Sequence, residues 1–163
     1  MPLATGFAPV VEMLARDVTV GVGTDNTILN DTVNPLSDAR AVATAHKGYH
    51  RDSGVVPART AFDMVTRDAA AAIGRGDDLG SLEPGTQADL VVIDLDRPHL
   101  TPAPDPVHAL VYGLQGNEVE TVLCAGDVVM DGRTLRTLDD PLADLLSTAE
   151  RTAADVVRRA GIE

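Results

Sequence analysis

Valines alternate with a threonine and a glycine over 18–22, close to the start of the chain. This period of two predicts a short β-strand. Asp25 follows the strand directly, and ligands and catalytic groups collect at the carboxyl ends of strands in α/β folds. An aspartate at such a position is also common as an Asx-turn or helix-cap residue. The pattern alone therefore leaves two interpretations of Asp25 open, a catalytic or metal-binding role and a turn role.

Helical patterns flank this strand on both sides. A short helix with proline in its first position is predicted over 9–16. Asn34 and Pro35 form a cap and first-turn pair for a second helix, which is predicted to run to about Lys47. A third helix is predicted over 58–73. The first helix, the strand and then Asp25 in this order indicate the end of a repeating α/β unit.

Near residue 76 the pattern changes to that of short strands. A near-continuous β-branched run over 88–95 predicts a buried strand. It follows a turn at 83–86 whose proline and glycine suit type II. A proline-rich connection over 98–106 leads to a short helical turn over 106–112. A small meander of strands is then predicted over 118–125, 127–130 and 133–135.

The last predicted element is a long amphipathic helix. It starts at the cap and first-turn pair Asp140 and Pro141 and runs to Gly161. An apolar stripe follows its helical spacing through Leu142, Leu145, Leu146, Ala149, Ala153, Val156 and Val157. Such a stripe is typical of a helix that packs on another surface.

Composition limits the classes of partner. The 163 residues carry a net charge of −12, and the acidic side chains are spread along the chain. Nucleic acid binding requires clustered Lys and Arg, so no nucleic-acid partner is expected. No segment reaches the length of a membrane span, and the first residues lack the order of a signal peptide. We therefore expect no membrane partner and a cytoplasmic location.

The single cysteine, Cys124, excludes an internal disulfide and fits a reducing compartment. Because it lies in the apolar run 119–129, we expect a small buried hydrophobic residue and not a nucleophile.

Four histidines are candidates for metal or acid–base chemistry. His46 and His50 are four residues apart, which can place two imidazoles on one helix face to hold zinc. Gly48 lies between them, and the second helix is predicted to end there. Solvent-facing or loop histidines are therefore the favoured interpretation, and a metal pair is the alternative. His99 and His108 are expected to be structural or surface residues.

Several runs of sequence carry a family resemblance. They cover 3–14, 20–25, 69–74, 80–94 and 124–132, and so nearly the whole chain. The most specific are Gly-Thr-Asp after a strand and the run Gly-x-Leu-Glu-Pro-Gly-x-x-Ala-Asp-Leu-Val-Val-Ile-Asp. Together they resemble the C-terminal part of an amidohydrolase-superfamily enzyme of the chlorohydrolase and adenosine-type or cytosine-type deaminase branch.

The resemblance implies an α/β architecture, the C-terminal portion of a metal-dependent hydrolase (β/α)₈ barrel plus part of a composite β-sandwich. Residues 1–75 would supply the last barrel strand and its helices. Residues 76–135 would form the C-terminal strands of the sandwich, and 136–163 a C-terminal docking helix.

The resemblance also implies a chemistry, the hydrolysis of non-peptide C–N bonds in a small-molecule substrate. Asp25 matches the aspartate that binds a zinc or iron ion in such enzymes and touches the hydrolytic water. A divalent ion lowers the pKa of bound water from ~16 towards ~7. The carboxylate can accept the water's proton and pass it to the leaving nitrogen. Asn26 and Asn30 lie in the loop that faces the pocket and are the candidate substrate-binding residues.

Several metal-binding and catalytic residues of the family have no match in this sequence. The H-x-H pair, two further metal histidines and the catalytic glutamate of such enzymes all lie upstream of the matched region. Because a catalytic zinc normally has three protein ligands, we expect a fragment that is inactive alone. The alternative is a non-catalytic structural or complementing module that assembles with a separate chain. Strands cut from a barrel would expose unpaired edges, so a homo-oligomer or a complementing N-terminal chain is expected.

Overall fold

The computed structural model describes residues 6–25 and 32–161. Within them lie six helices and four strands in the order of the chain. These are α1 (Val10–Leu14), α2 (Pro35–His50), α3 (Ala58–Met64), α4 (Arg67–Ala72), β1 (Leu90–Ile93), α5 (Pro106–Tyr112), β2 (Val119–Cys124), β3 (Asp127–Asp131), β4 (Thr134–Leu135) and α6 (Leu142–Ala160).

The core is helical and built mainly from small side chains. Ala39 and Ala43 of α2 are fully buried against Ala61 and Met64 of α3 and Val111 of α5. Because alanine has only a methyl group, the helices can pack at high density with few aromatic residues, and Phe62 and Tyr112 contact the core only from its margin. This arrangement suits a sequence with only 2% aromatic residues.

The predicted strand over 18–22 does not join a sheet in the described structure. Its backbone is extended, and the amide of Val22 donates to the carbonyl of Met64 over 2.7 Å. A β-strand requires a hydrogen-bonded ladder with a neighbouring strand, and the segment instead lies against helices. Val20 and Val22 pack on the core, so the alternation of apolar side chains is retained without the ladder.

Two helix boundaries differ from those predicted. The helix α2 continues past Lys47 to His50 and ends at Arg51, which adopts a left-handed conformation. The predicted helix over 58–73 is interrupted between Met64 and Arg67. At this break the Met64 carbonyl accepts from Val22 and not from the next helical turn. A hydrogen bond from the extended segment therefore replaces one hydrogen bond of the helix.

The predicted three-strand meander is confirmed as β2, β3 and β4. The strand β1 pairs with β2, which gives a four-stranded antiparallel sheet in the order β1-β2-β3-β4. The type II turn is present as well, with Gly85 at φ +103° and the Thr86 amide bonded to the Glu83 carbonyl over 3.2 Å. The expected buried strand is shorter than predicted, and Val91 and Val92 are 51% and 44% exposed. Successive strand residues point to opposite faces of the sheet, so the described residues fully cover neither face of β1 and the burial expected from the apolar run is not reached.

Cys124 is exposed, contrary to the prediction of a buried thiol. It is the last residue of β2 and pairs with Asp127 across the tight turn to β3. A residue at the end of a hairpin projects beyond the covered part of the sheet, which an apolar sequence run does not reveal.

The final helix is confirmed, and Gly161 ends it in a left-handed conformation. None of its residues from Leu142 to Ala160 is buried. In the part of the chain described here, no helix is long and apolar enough to cross a membrane.

Candidate active-site carboxylate and its surroundings

Asp25 is an exposed residue at the end of the extended segment. The segment is held at two points before it reaches this carboxylate. The first is the Val22–Met64 hydrogen bond. The second is Gly21, where a Cβ atom would stand 2.9 Å from the Cα of Ala69 in α4. This distance is shorter than real Cβ contacts, so only glycine allows the segment to lie this close to the helix.

The other two predicted site residues, Asn26 and Asn30, lie outside the described residues. The structure therefore places one of the three predicted site residues, Asp25.

A catalytic metal requires several donors in one place, and zinc normally takes three from the protein. Over 6–25 and 32–161 there is no group of three or more His, Cys, Asp or Glu side chains that could hold a metal ion. The described residues thus do not fit a complete metal centre. The histidines predicted to be surface or structural do not join Asp25 in such a group.

His46 and His50 do not lie in the solvent-facing or loop positions that were predicted for them. Both belong to α2, and their rings lie 5.9 Å apart at an interplanar angle of 20°. His46 is only 4% exposed, and its Nδ1 atom is buried without a hydrogen-bond partner. Because α2 extends beyond Lys47, the spacing of four puts both rings on one helix face.

The environment of His46 favours its neutral form. Burial lowers its pKa below the ordinary value of 6.5, and the neighbouring His50 lowers it further, while Glu12 acts in the opposite direction. The ring of Phe7 meets the His46 ring edge-on at 5.8 Å. These side chains line a small surface pocket together with Ala8, Pro9 and Tyr49.

The residue pattern did not reveal a buried carboxylate at Glu118, which is 1% exposed. Its Oε1 lies 2.6 Å from Nε2 of His99, and its Oε2 accepts from the amides of Gly116 at 2.8 Å and Gln115 at 3.2 Å. Burial alone would raise the pKa of this carboxyl. The donors from Gly116, its own amide, His99 and Gln115 together lower it below its ordinary value.

This pair gives His99 the structural role expected for it. Glu118 precedes β2, whereas His99 lies in the proline-rich connection, so the contact fastens that connection to the sheet. Glu118 stands at the start of β2 beside a second acidic residue, Glu120, so the sequence does not distinguish the buried carboxylate from the exposed one.

Arg40 is a second residue that sequence reasoning did not single out. Its Nε donates to the carbonyl of Val111 over 3.0 Å, and a terminal nitrogen donates to the carbonyl of Leu114. Both carbonyls lie at or just after the end of α5, where helix carbonyls lack partners within the helix. Arg40 thereby joins α2 to α5, the helix in the connection between β1 and β2.

Residues 1–129 match the model of the amidohydrolase family. The chain therefore belongs to this family, which confirms the resemblance carried by its sequence runs.

Individual relatives are similar along nearly the whole chain. An S-triazine hydrolase of Gordonia rubripertincta is 43% identical over 162 residues, 98% of this chain and 34% of that protein. A 5-methylthioadenosine/S-adenosylhomocysteine deaminase of Haloarcula marismortui is 41% identical over 99% of this chain and 36% of that protein. The chain thus spans about a third of the length of the curated relatives it matches.

Solved structures agree with these matches. An adenosine deaminase from Xanthomonas campestris with bound zinc superposes with a TM-score of 0.89 at 32% identity, covering 96% of this chain and 35% of that one. An atrazine chlorohydrolase from Arthrobacter aurescens, complexed with zinc, gives a TM-score of 0.79 at 30% identity, covering 90% and 32%. The described chain therefore has the fold of the matching third of these enzymes.

Proposed function

We propose that this chain contributes Asp25 to the hydrolytic site of a metal-dependent amidohydrolase that cleaves non-peptide C–N bonds. The supporting observation is the position of Asp25 in a chain of this family. The carboxylate directly follows Gly23 and Thr24, at the end of a segment anchored through Gly21 and Val22.

The anchoring suits a carboxylate that must stand at a fixed place. The contacts at Gly21 and Val22 tie the segment to α4 and α3, four and three residues before Asp25. A carboxylate held in this way can accept a proton from a water molecule and return it to a leaving amine. That proton transfer is the step we assign to Asp25.

The described residues do not complete a metal centre, so the other donors would come from outside them. Because two solved relatives are described with zinc, we propose zinc and not iron as the ion of the complete site. Asn26 and Asn30 are proposed to contact the substrate. The relatives named for triazines and for adenosine derivatives favour a small nitrogen-ring substrate.

The architecture proposed for the complete protein is the one that the family implies. Residues 1–75 would form the last strand and helices of the (β/α)₈ barrel. Residues 76–135 would be the C-terminal strands of a composite sandwich, and 136–163 its docking helix. The free edge and exposed valines of β1 support this proposal because such an edge accepts further strands.

The second candidate function is a complementing module that assembles with a separate chain. The lack of a three-donor group in the described residues favours it. Co-purification of a second chain that carries an H-x-H pair would support this candidate over a single longer enzyme.

The proposed function is tested in a chimera. This chain replaces the matching third of the S-triazine hydrolase of Gordonia rubripertincta, to which it is 43% identical. We expect the chimera to hydrolyse the host's triazine substrate, and Asp25→Asn to lower kcat/KM by about 10²–10⁴-fold. Asp17→Asn is the matched control, because Asp17 is an exposed aspartate before the same extended segment. Activity that Asp25→Asn leaves unchanged would contradict the assignment.

A further inference from the structure

The last turn of α2 carries two histidines on one face. His46 and His50 are four residues apart, and the centres of their rings lie 5.9 Å apart at an interplanar angle of 20°. A metal ion bonds an imidazole nitrogen at about 2.0–2.1 Å, and that nitrogen stands about 1.1 Å from the ring centre, so one ion can join rings up to about 6.4 Å apart. The observed separation of the two rings lies within this limit.

Aromatic neighbours hold both rings in position. Phe7 meets the ring of His46 edge-on at 5.8 Å. Tyr49 meets the ring of His50 edge-on at 5.1 Å. Ligands whose orientation is fixed by packing before the ion arrives lose less conformational entropy on binding. These four side chains line one surface pocket of about 90 Å³, about three times the share of one water molecule in the liquid, which suits an ion with its bound water.

The ring of His46 has bonding capacity that the described chain does not use. Its Nδ1 atom is buried without a hydrogen-bond partner, and the residue is only 4% exposed. Burial and His50 lower its pKa, which keeps the imidazole in the neutral form that metals require. Glu12 lines the same pocket and acts electrostatically on His46, so a negative charge is at hand to offset that of a cation.

We propose that His46 and His50 together bind a late first-row divalent metal ion, Cu²⁺ in preference to zinc. Imidazole suits copper, nickel and zinc, and affinity in this series is highest for Cu²⁺. Two nitrogen donors with water oxygens at the other positions fit the tetragonal coordination of Cu²⁺. The described residues offer no group of three donors, so zinc, which normally takes at least three, binds weakly.

Such an ion would stabilise the end of α2. Gly48 lies between the two histidines, and glycine weakens a helix interior more than any residue except proline. An ion bonded to both rings fastens the turn that contains this glycine. Because both ligands belong to one helix, the site needs neither Asp25 nor any further part of a longer enzyme.

Isothermal titration calorimetry with Cu²⁺ tests the pair in the full 163-residue chain. A Cys124→Ser background removes the exposed thiol, which is itself a copper ligand. We expect one ion per chain, bound at least about 10-fold more weakly by His50→Gln. His108→Gln is the matched control, since it removes an exposed imidazole beside Tyr112, and should leave the affinity unchanged. No binding, or binding that both variants weaken equally, would overturn the proposal.

Thermal unfolding followed by circular dichroism tests the effect on the helix and verifies that the variants fold. A ligand that binds the folded chain stabilises it by mass action, so Cu²⁺ should raise the midpoint of the transition. This rise should disappear in His46→Gln and in His50→Gln. It should persist in Asp25→Asn, which separates this site from the proposed hydrolytic one. A rise that remains in both histidine variants, or is lost in Asp25→Asn, would refute the assignment.

Discussion

At the scale of single residues, the buried carboxylate of Glu118 makes the clearest energetic prediction. Glu118→Gln replaces a charged acceptor by an amide whose nitrogen faces backbone donors. We expect a loss of about 2 kcal/mol in the free energy of unfolding, measured by urea denaturation at pH 7. Glu120→Gln is the control, since its side chain is 46% exposed, and should change stability by less than about 0.5 kcal/mol.

The pH dependence of the same pair of variants provides a further measurement. The pKa of Glu118 lies below its ordinary value of 4.5 in the folded chain. Its stabilisation is therefore present above pH 4.5 and is lost as the pH falls through the folded-state pKa. The difference in unfolding free energy between wild type and Glu118→Gln should therefore shrink as the pH falls through the folded-state pKa. Equal stability of the two proteins at pH 7 would show that the network contributes nothing.

The lowered pKa of His46 predicts a second pH dependence of stability, at a higher pH than that of Glu118. Its pKa is lowered by burial and by His50, so the unfolded chain binds a proton at a higher pH than the folded chain does. The unfolding free energy should stay level above pH 6.5 and decrease as the pH falls from there towards the folded-state pKa. Denaturation between pH 5 and 7.5 should show this slope in wild type and in the exposed control His108→Gln. His46→Gln should flatten this slope of unfolding free energy against pH. An unchanged slope in that variant would show that His46 does not cause it.

At the scale of elements, the segment that leads to Asp25 depends on glycine at one position. Gly21→Ala would force a Cβ atom to 2.9 Å from the Cα of Ala69. We expect a cost of about 1–3 kcal/mol in thermal or urea unfolding, as for other overpacked sites. A Cβ on Gly23 meets nothing within 4 Å, so Gly23→Ala should be neutral or slightly stabilising. Equal costs for the two variants would contradict the close approach.

Elements defined by local chemistry were predictable from the sequence. The turn at 83–86, the antiparallel meander and the end of α6 at Gly161 follow from proline, glycine and alternation over a few residues. The break after Met64 was not predictable, because a residue more than forty positions away takes its carbonyl hydrogen bond. The exposure of Cys124 and the burial of His46 likewise depend on what lies across the fold.

The candidate site was predictable only in part for the same reason. A Gly-Thr-Asp run after an alternating segment points to Asp25, and the fold keeps this residue at the end of an anchored segment. Arg40 has no motif, since the backbone carbonyls that it contacts lie more than seventy residues away. Glu118 has none either, since its partner outside its own turn is His99, nineteen residues earlier in the chain.

At the scale of the whole molecule, the chain should be a poor binder of zinc on its own. The described residues hold no group of three or more donors that could bind a metal ion, and a catalytic zinc normally takes three protein ligands. In a competitive titration against a chromogenic chelator, wild type and Asp25→Ala should therefore bind zinc equally weakly. Tight, stoichiometric binding that disappears in Asp25→Ala would mean that this chain alone completes the site.

The most direct test of the central claim is the turnover of the triazine hydrolase chimera, measured as the ratio of kcat/KM between Asp17→Asn and Asp25→Asn. A proton-transferring carboxylate contributes on the order of 10²–10⁴-fold. We predict a ratio in that range, with Asp17→Asn close to the unmodified chimera. A ratio near one in an active chimera would show that Asp25 takes no part in hydrolysis.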